Sequence, residues 1–344
     1  MRKLLNTLFI VSEESYLGLD GENVLVLSSD KDPVRFPLHT LENIMSFSYK
    51  GASPALIGEC TKRGISISFF SPSSNRFLGS VNGDFRGNVL LRKTHYHLSE
   101  NSEYSLSLSK QFMIGKIYNS RLVIERALRD HPLRVDTEEL RKVSMLLKNQ
   151  FQAIPNCDSM DKMRGLEGNC ASWYFSVFDQ LILQNKDVFF FHERSRRPPM
   201  DNVNALLSFF YAILANDCAS ALEGVGLDPY VGFMHVDRPG RRSLALDLME
   251  EFRSIIVDRF VLTLINNKVI NINHFTKYEN GAVTLNETGR KISLSSWQKR
   301  KQEIIVHPFL EEKIPRGLLP YSQSLLLARY LRGDIDAYPP YLGV

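Results

Sequence analysis

Ser99-Glu100-Asn101-Ser102-Glu103 divides this chain into two kinds of sequence. Upstream, short strand-like runs dominate, at 4–11, 23–27 and 65–70. In the last of these, Ile65, Ile67 and Phe69 alternate with Ser66 and Ser68, the two-residue period of a strand with one buried face. Asp20-Gly21 and Asn82-Gly83-Asp84 punctuate the runs as turns. A single helix is expected among them at 54–63, with Ser53 as its cap and Gly64 as its stop. Downstream the apolar period changes to that of helices, expected at 107–130, 136–151, 166–183, 200–224, 243–266 and 320–332. The fold class is therefore α+β. A small N-terminal β-rich, β-sandwich-like domain (1–98) is followed by a polar linker (99–106) and a larger all-α C-terminal domain (107–344).

Within the second domain, 274–291 contains the alternating Ala282-Val283-Thr284-Leu285 and reads as a small inserted hairpin. The tail Asp336-Ala337-Tyr338-Pro339-Pro340-Tyr341 is too proline-rich for a helix, and the sequence leaves open whether it packs or stays free. At 344 residues the chain is long enough for two cores, and 44% hydrophobic with 23% charged residues argues against disorder. The net charge of +4 is unevenly placed. Residues 1–105 carry 11 basic and 11 acidic side chains, so the excess, 31 against 27, lies in 106–344 and suits a polyanionic substrate. Cys60, Cys157, Cys170 and Cys218 show no C-x-x-C spacing, which excludes a zinc knuckle or thioredoxin-type site. The first eleven residues faintly imitate a signal peptide but lack a small-residue cleavage site and read better as a strand. No apolar run looks long enough to cross a bilayer, so no membrane association and a cytoplasmic location are expected.

The chemistry gathers in the second domain. From Leu244 to Phe260, Leu244, Leu248, Phe252, Ile255, Ile256 and Phe260 recur at helical spacing, with Asp247, Glu250, Glu251, Ser254 and Asp258 opposite them. Asp247 then shares a face with Glu250 and Glu251, roughly 60° and 40° away around the axis. His235, in Gly232-Phe233-Met234-His235, precedes a turn at Arg238-Pro239-Gly240. Arg164-Gly165-Leu166-Glu167-Gly168 supplies a further carboxylate upstream. Carboxylates suit magnesium and manganese, and an imidazole shifts the balance towards manganese or another transition ion. Such an ion polarises a phosphate and stabilises charge on the attacking or leaving oxygen. The competing reading makes the acidic residues merely the solvated side of a helix.

Four segments in order, Arg164 to Gly168, Arg197-Pro198-Pro199-Met200-Asp201-Asn202-Val203-Asn204, Gly226 to His235, and Asp247-Leu248-Met249-Glu250-Glu251-Phe252-Arg253, resemble the universal CRISPR adaptation endonuclease family. These are the integrases that insert new spacers into a CRISPR array, and the variant resembles those of type I systems, subtype C. The resemblance implies catalytic Glu167, His235, Asp247 and Glu250, with Glu167, His235 and Glu250 holding Mg2+ or Mn2+ and Asp247 orienting the site. Many relatives carry aspartate where this chain has Glu250, which leaves Glu251 as an alternative third ligand. Tyr211 stands where the family often has a tyrosine near the DNA.

Arginines flank these segments. Arg164, Arg197, Arg238, Arg241 and Arg242 are the expected phosphate contacts, joined by Asn204 and Tyr211 as DNA-binding residues, and Arg194 and Arg196, clustered with Arg197, suit phosphates likewise. Lys299, Arg300 and Lys301 form a further basic group that reads equally well as a solvated face. Trp173, Tyr174, Phe175, Phe178 and Phe189-Phe190-Phe191 suit core packing better than base stacking. The resemblance implies a metal-dependent DNA endonuclease and integrase, which joins 3′ hydroxyls of captured duplexes to the CRISPR repeat. It further implies a homodimer, dimerised through the N-terminal domain, and a small CRISPR-associated adaptation partner protein. A stand-alone structure-specific repair nuclease and a non-catalytic DNA-binding scaffold are the competing readings.

Overall fold

The structure, a computed structural model, describes residues 6–29, 31–73, 77–83 and 89–343. Expectations that fall on residues 1–5 and on Asp84 lie outside the described residues. The chain begins with strands β1 (Thr7–Ile10), β2 (Tyr16–Asp20), β3 (Asn23–Ser28), β4 (Lys31–Pro37) and β5 (Asn43–Ser46). Helix α1 (Pro54–Arg63) and strands β6 (Ser66–Phe70) and β7 (Phe77–Val81) follow. Then come α2 (Val89–Glu100), α3 (Ser102–Asp130), α4 (Thr137–Ala153), α5 (Met160–Ser176), α6 (Asn202–Gly224), α7 (Ser243–Met249) and α8 (Arg259–Asn266). A hairpin of β8 (Phe275–Lys277) and β9 (Val283–Leu285) precedes α9 (Glu287–Gln302), and α10 (Leu319–Leu331) closes the regular structure.

The first compact unit holds the described residues up to 83 with 272–305 and 315–318. Its mixed sheet runs β1-β5-β6-β7, with β1, β5 and β6 parallel and β7 antiparallel, and a three-stranded meander β2-β3-β4 forms a second sheet. Parallel neighbours need a crossover, and α1 supplies the one between β5 and β6. That helix starts where Ser53 accepts from the Leu56 N–H and stops at Gly64, whose φ of 70° a side chain would resist. Ile10, Leu17, Val24, Ile44, Leu56, Cys60 and Ile67 bring both sheets and α1 into one core. Two sheets around a shared core agree with the expected β-rich, sandwich-like domain.

The domain bounds differ from the expectation. Residues 272–305 belong to this first unit, where buried Arg290 of α9 donates to Pro72 O and Leu285 O and pairs with Glu13 at 3.2 Å. The expected hairpin there is present, while the polar sequence of α9 hid a helix. Residues 99–106 are not a linker. Glu100 ends α2, Asn101 caps α3 by accepting from the Tyr104 N–H at 2.9 Å, and Ser102 begins α3. The polar run marks a helix cap, because the residues that suit linkers also satisfy free helix-end N–H groups.

The second unit, described residues 89–271, 306–314 and 319–343, is helical. The expected helix over 243–266 is three pieces. Helix α7 ends at Met249, a wide π-type coil covers Arg253–Asp258, and α8 resumes at Arg259. Helix α6 corrects the membrane expectation, since its 23 residues are long and apolar enough to cross a bilayer. Most of that helix is buried inside the unit, where its all-round apolar surface is needed as core. The proline-rich tail is packed, with Tyr338 and Tyr341 buried. All four cysteines are buried and free.

Candidate active site

A cleft of about 380 Å³ lies in the second unit, walled by α3, α5, α6 and the chain from Met234 to Asp258. Helix α5, capped by Ser159 accepting from the Lys162 N–H, brings Glu167 to one wall. His235 sits on the opposite loop, which a single carboxylate organises. Asp247, fully buried on α7, accepts at Oδ2 from the N–H groups of Phe233 (2.7 Å) and Met234 (3.0 Å). Its Oδ1 accepts from the His235 N–H (2.9 Å) and lies 2.6 Å from His235 Nδ1. A carboxylate at Nδ1 assigns the ring proton there and leaves the Nε2 lone pair for the cleft. Gly232 permits the approach, since a Cβ there would stand 2.7 Å from Ser243 Cβ and 2.8 Å from His235 O. From the far side, buried His95 bonds Val231 O through Nε2 at 2.9 Å and stacks on Phe233.

Glu250 and Glu251, adjacent in sequence, part company. Glu250 faces the cleft, with Oε1 3.9 Å from His235 Nε2 and accepting from Arg253 Nε at 2.9 Å. Its Oε2 lies 2.9 Å from Lys116 Nζ. Burial works to raise its pKa, but the charges of Arg253 and Lys116 outweigh burial and hold it down at about 2. Glu251 points the other way. Its carboxyl accepts from Tyr338 Oη (2.6 Å), Gln323 Nε2 (3.0 Å) and the Tyr341 N–H (2.6 Å), tying down the C-terminal tail. Burial raises its pKa to about 8 against those three donors. Glu251 is thus removed as the alternative ligand, because its oxygens are committed behind the site.

The solvated-face reading also fails. Asp247, Glu250, Glu251, Ser254 and Asp258 are all buried. Asp258 accepts from Tyr211 Oη at 2.5 Å and Tyr174 Oη at 3.0 Å, and burial lifts its pKa to about 6 against both donors. Tyr211 reaches the cleft, its ring lying under the guanidinium groups of Arg194 (5.4 Å) and Arg253 (5.0 Å). Burial and the Asp258 charge push its phenol pKa well up, so the hydroxyl stays a neutral donor.

The expected DNA contacts divide. Arg164, Arg238 and Arg241 line the cleft, and so do Arg194 and Arg196 of the basic cluster that ends at Arg197. Arg197 is exposed but outside the cleft lining. Arg242 turns away, bonding Asn216 Oδ1 at 3.1 Å and lying over Tyr230. Asn204 is corrected from a DNA contact to a buried brace: its Oδ1 accepts from Arg194 and the Ser195 N–H, and its Nδ2 donates to Glu193 O and Asp201. A fully buried amide with every bond made has nothing left for a phosphate. Most of the aromatic run is core, as expected: Phe175, Phe178 and Phe191 pack ring on ring beside Tyr174 and Phe189 is buried, but Phe190 is exposed.

Sequence reasoning missed Lys116. This lysine of α3 donates to Glu167 Oε1 and reaches Glu250 Oε2, bridging two of the three expected ligands. Its only neighbouring signal was an unassuming helical pattern. Among the described residues no three His, Cys, Asp or Glu side chains stand close enough to hold an ion as they are. The donors nevertheless fit one. Nε2 of His235 carries a free lone pair, buried Glu250 Oε2 makes no hydrogen bond of good geometry, and the 3.9 Å between Nε2 and Glu250 Oε1 is within reach of one ion. Two ligands bonded at about 2.1 Å lie at most about 4.2 Å apart.

The family model for CRISPR associated protein Cas1 matches residues 8–299. A CRISPR-associated endonuclease Cas1 of Chlorobaculum tepidum is 46% identical over 342 residues, 99% of each chain. A casposase bound to integration product superposes with a TM-score of 0.84 at 22% identity, covering 97% of this chain and 94% of that one. A Cas6-RT-Cas1–Cas2 complex contains a chain that matches at TM-score 0.82 and 20% identity, covering 98% of this chain and 36% of that chain.

Proposed function

Because this chain belongs to the Cas1 family of CRISPR-associated proteins, we propose that the cleft around Glu167, His235 and Glu250 is its catalytic centre. The protein is a DNA endonuclease and integrase of CRISPR adaptation. In the integrase reaction a 3′ hydroxyl of the captured duplex attacks a phosphodiester at the repeat boundary. One phosphate ester bond forms as another breaks, and the displaced strand leaves with its own 3′ hydroxyl. Water in place of the hydroxyl gives cleavage.

Glu167, His235 and Glu250 hold Mg2+ or Mn2+, hard ions that suit two carboxylates and an imidazole. When bound, the ion polarises the phosphate and stabilises charge on the attacking or leaving oxygen. Asp247 holds His235 by ring and backbone together, so Nε2 keeps its aim. Arg253 and Lys116 keep Glu250 ionised. Arg164, Arg194, Arg196, Arg238 and Arg241 face the polyanion and neutralise phosphates along the cleft. Asp258 holds the Tyr211 hydroxyl, and the Tyr211 ring in turn supports the Arg194 and Arg253 guanidinium groups in the cleft lining.

DNA and a small CRISPR-associated partner of the Cas2 kind are the expected companions, supported by the fold neighbours solved with an integration product and with Cas2. The working form is read as a homodimer through the N-terminal unit, supported by exposed Leu27 and Val34 on the three-stranded sheet. The cytoplasm is the compartment proposed, where the array lies and the four thiols stay reduced.

The observation that carries the site is the convergence of Glu167, His235 and Glu250, 83 residues apart at the extremes, on one arginine-lined cleft. The test is strand transfer of a short duplex into a supercoiled plasmid bearing a CRISPR repeat, with Mg2+ or Mn2+ and the partner protein. Joining at the repeat ends is expected, lost in Glu167→Ala and in His235→Ala while both variants keep the native circular dichroism spectrum. Joining retained in both variants sinks the assignment.

A further inference from the structure

Lys116 stands where the ion is expected. Its side chain is only 13% exposed, it donates to Glu167 Oε1, and its Nζ lies 2.9 Å from Glu250 Oε2. No other cation bridges this pair among the described residues; Arg253 serves Glu250 alone. The lysine is delivered there by a fixed backbone. Gly115, the preceding residue, is pressed so close to the turn after α7 that a Cβ would meet Glu251 Cγ at 2.9 Å. One turn on, Asn119 donates to Glu251 O (2.7 Å) and to Tyr341 O (2.8 Å). The α3 backbone is therefore clamped to the chain carrying Glu250, and Lys116 has little freedom in where it starts.

Two ionised carboxylates across a partly buried cleft repel unless a positive charge lies between them. In this arrangement the ammonium fulfils that requirement, and its contact with Glu250 Oε2 is electrostatic rather than a well-formed hydrogen bond. A divalent ion binding the same oxygens cannot share the space with an ammonium, since both demand the same lone pairs and repel each other.

We propose that Lys116 is the built-in counterion of the metal-free site, bridging Glu167 and Glu250 until a divalent ion displaces its ammonium. This rests on the reading of Glu167, His235 and Glu250 as the metal donors. Metal loading is then an exchange of one cation for another, so the lysine lowers affinity for free metal while preserving the carboxylate pair in its absence. Lys116 is a positioning residue in this role.

The experiment uses the full-length protein, stripped with chelator, and titrates Mn2+ alone by calorimetry and by thermal melting, without DNA. Lys116→Gln is expected to melt lower than the native protein in chelator and to gain a larger upward shift with Mn2+. Its Mn2+ affinity should tighten by at least about tenfold, the scale of removing one modest competing interaction. Lys116→Met, which keeps the stem, should behave the same way and guards against a folding defect peculiar to one variant. Unchanged or weaker Mn2+ affinity in both variants, or no Mn2+ binding by any form, overturns the proposal. The Glu167→Gln/Glu250→Gln double variant separates the two readings. If Mn2+ binding survives in it, the donor assignment is wrong; if binding is lost there yet Lys116→Gln binds no tighter, only the counterion role is wrong.

Discussion

Asp247 shows how one buried side chain organises a site it does not itself supply with a donor. Its two oxygens take three backbone N–H groups and the His235 ring, so the loop and the imidazole are set together. Asp247→Asn would turn an amide group towards donors that need an acceptor. A partner held behind a metal ligand typically matters 10–100-fold, and strand transfer by Asp247→Asn should fall by about that factor, read as kcat at saturating DNA. Glu251 is the opposite case, an acid spent on architecture. Its folded pKa of about 8 lies above the usual carboxylate value, so the folded state binds the proton more tightly than the unfolded chain. Stability from this group is therefore greatest below about pH 4.5 and declines as pH rises towards 8. Melting curves between pH 5 and 8 should show that decline in the native protein and a flatter profile in Glu251→Gln. An unchanged slope would mean that Glu251 is ionised in the folded protein throughout.

At the scale of elements, the broken helix over 243–266 carries the chemistry. Helix α7 ends just before Glu250, and the wide coil at Arg253–Asp258 changes the phase of everything after it. π-type turns are rare and collect at functional sites; here one aims Arg253 and Asp258 into the cleft from the segment that begins with Glu250. The tail belongs to the same element cluster, since Tyr338 and Tyr341 close over Glu251 directly behind it. Removing the Tyr338 hydroxyl (Tyr338→Phe) strips one of three donors from a buried carboxyl and should cost about 1–3 kcal/mol of unfolding free energy, measured by denaturant titration. A cost below the error of that titration would show the tail to be a passenger.

For the whole molecule, charge matters through its placement. The net excess is small, yet six arginines line one cleft while Arg242, adjacent in sequence to Arg241, is turned away to Asn216. Each phosphate neutralised contributes a slope of roughly 0.9 in log affinity against log salt. Arg238→Ala/Arg241→Ala together should flatten the salt dependence of duplex binding by about 1.8, and Arg242→Ala should leave it unchanged. Equal effects from Arg242 would contradict the division of roles drawn from the cleft.

What the sequence determined by itself was local or strongly periodic. Ser53 and Gly64 end α1 by bonds reaching no more than about four residues, so the helix could be read from its own letters. The helical run beyond residue 106 and the alternation at 65–70 were legible for the same reason, and the ordered segments around Glu167, His235 and Glu250 pointed to residues that line one cleft. Tertiary structure alone decided which of the acidic pair faces the cleft, since Glu250 meets Lys116 and Glu251 meets Tyr341, 90 residues further on. It alone moved α9 into the first unit through Arg290, buried Asn204, and set Lys116 between two carboxylates, 51 residues from Glu167. Caps and periods are properties of a few consecutive residues. The direction in which a buried charge is satisfied depends on partners that only the folded chain brings within reach.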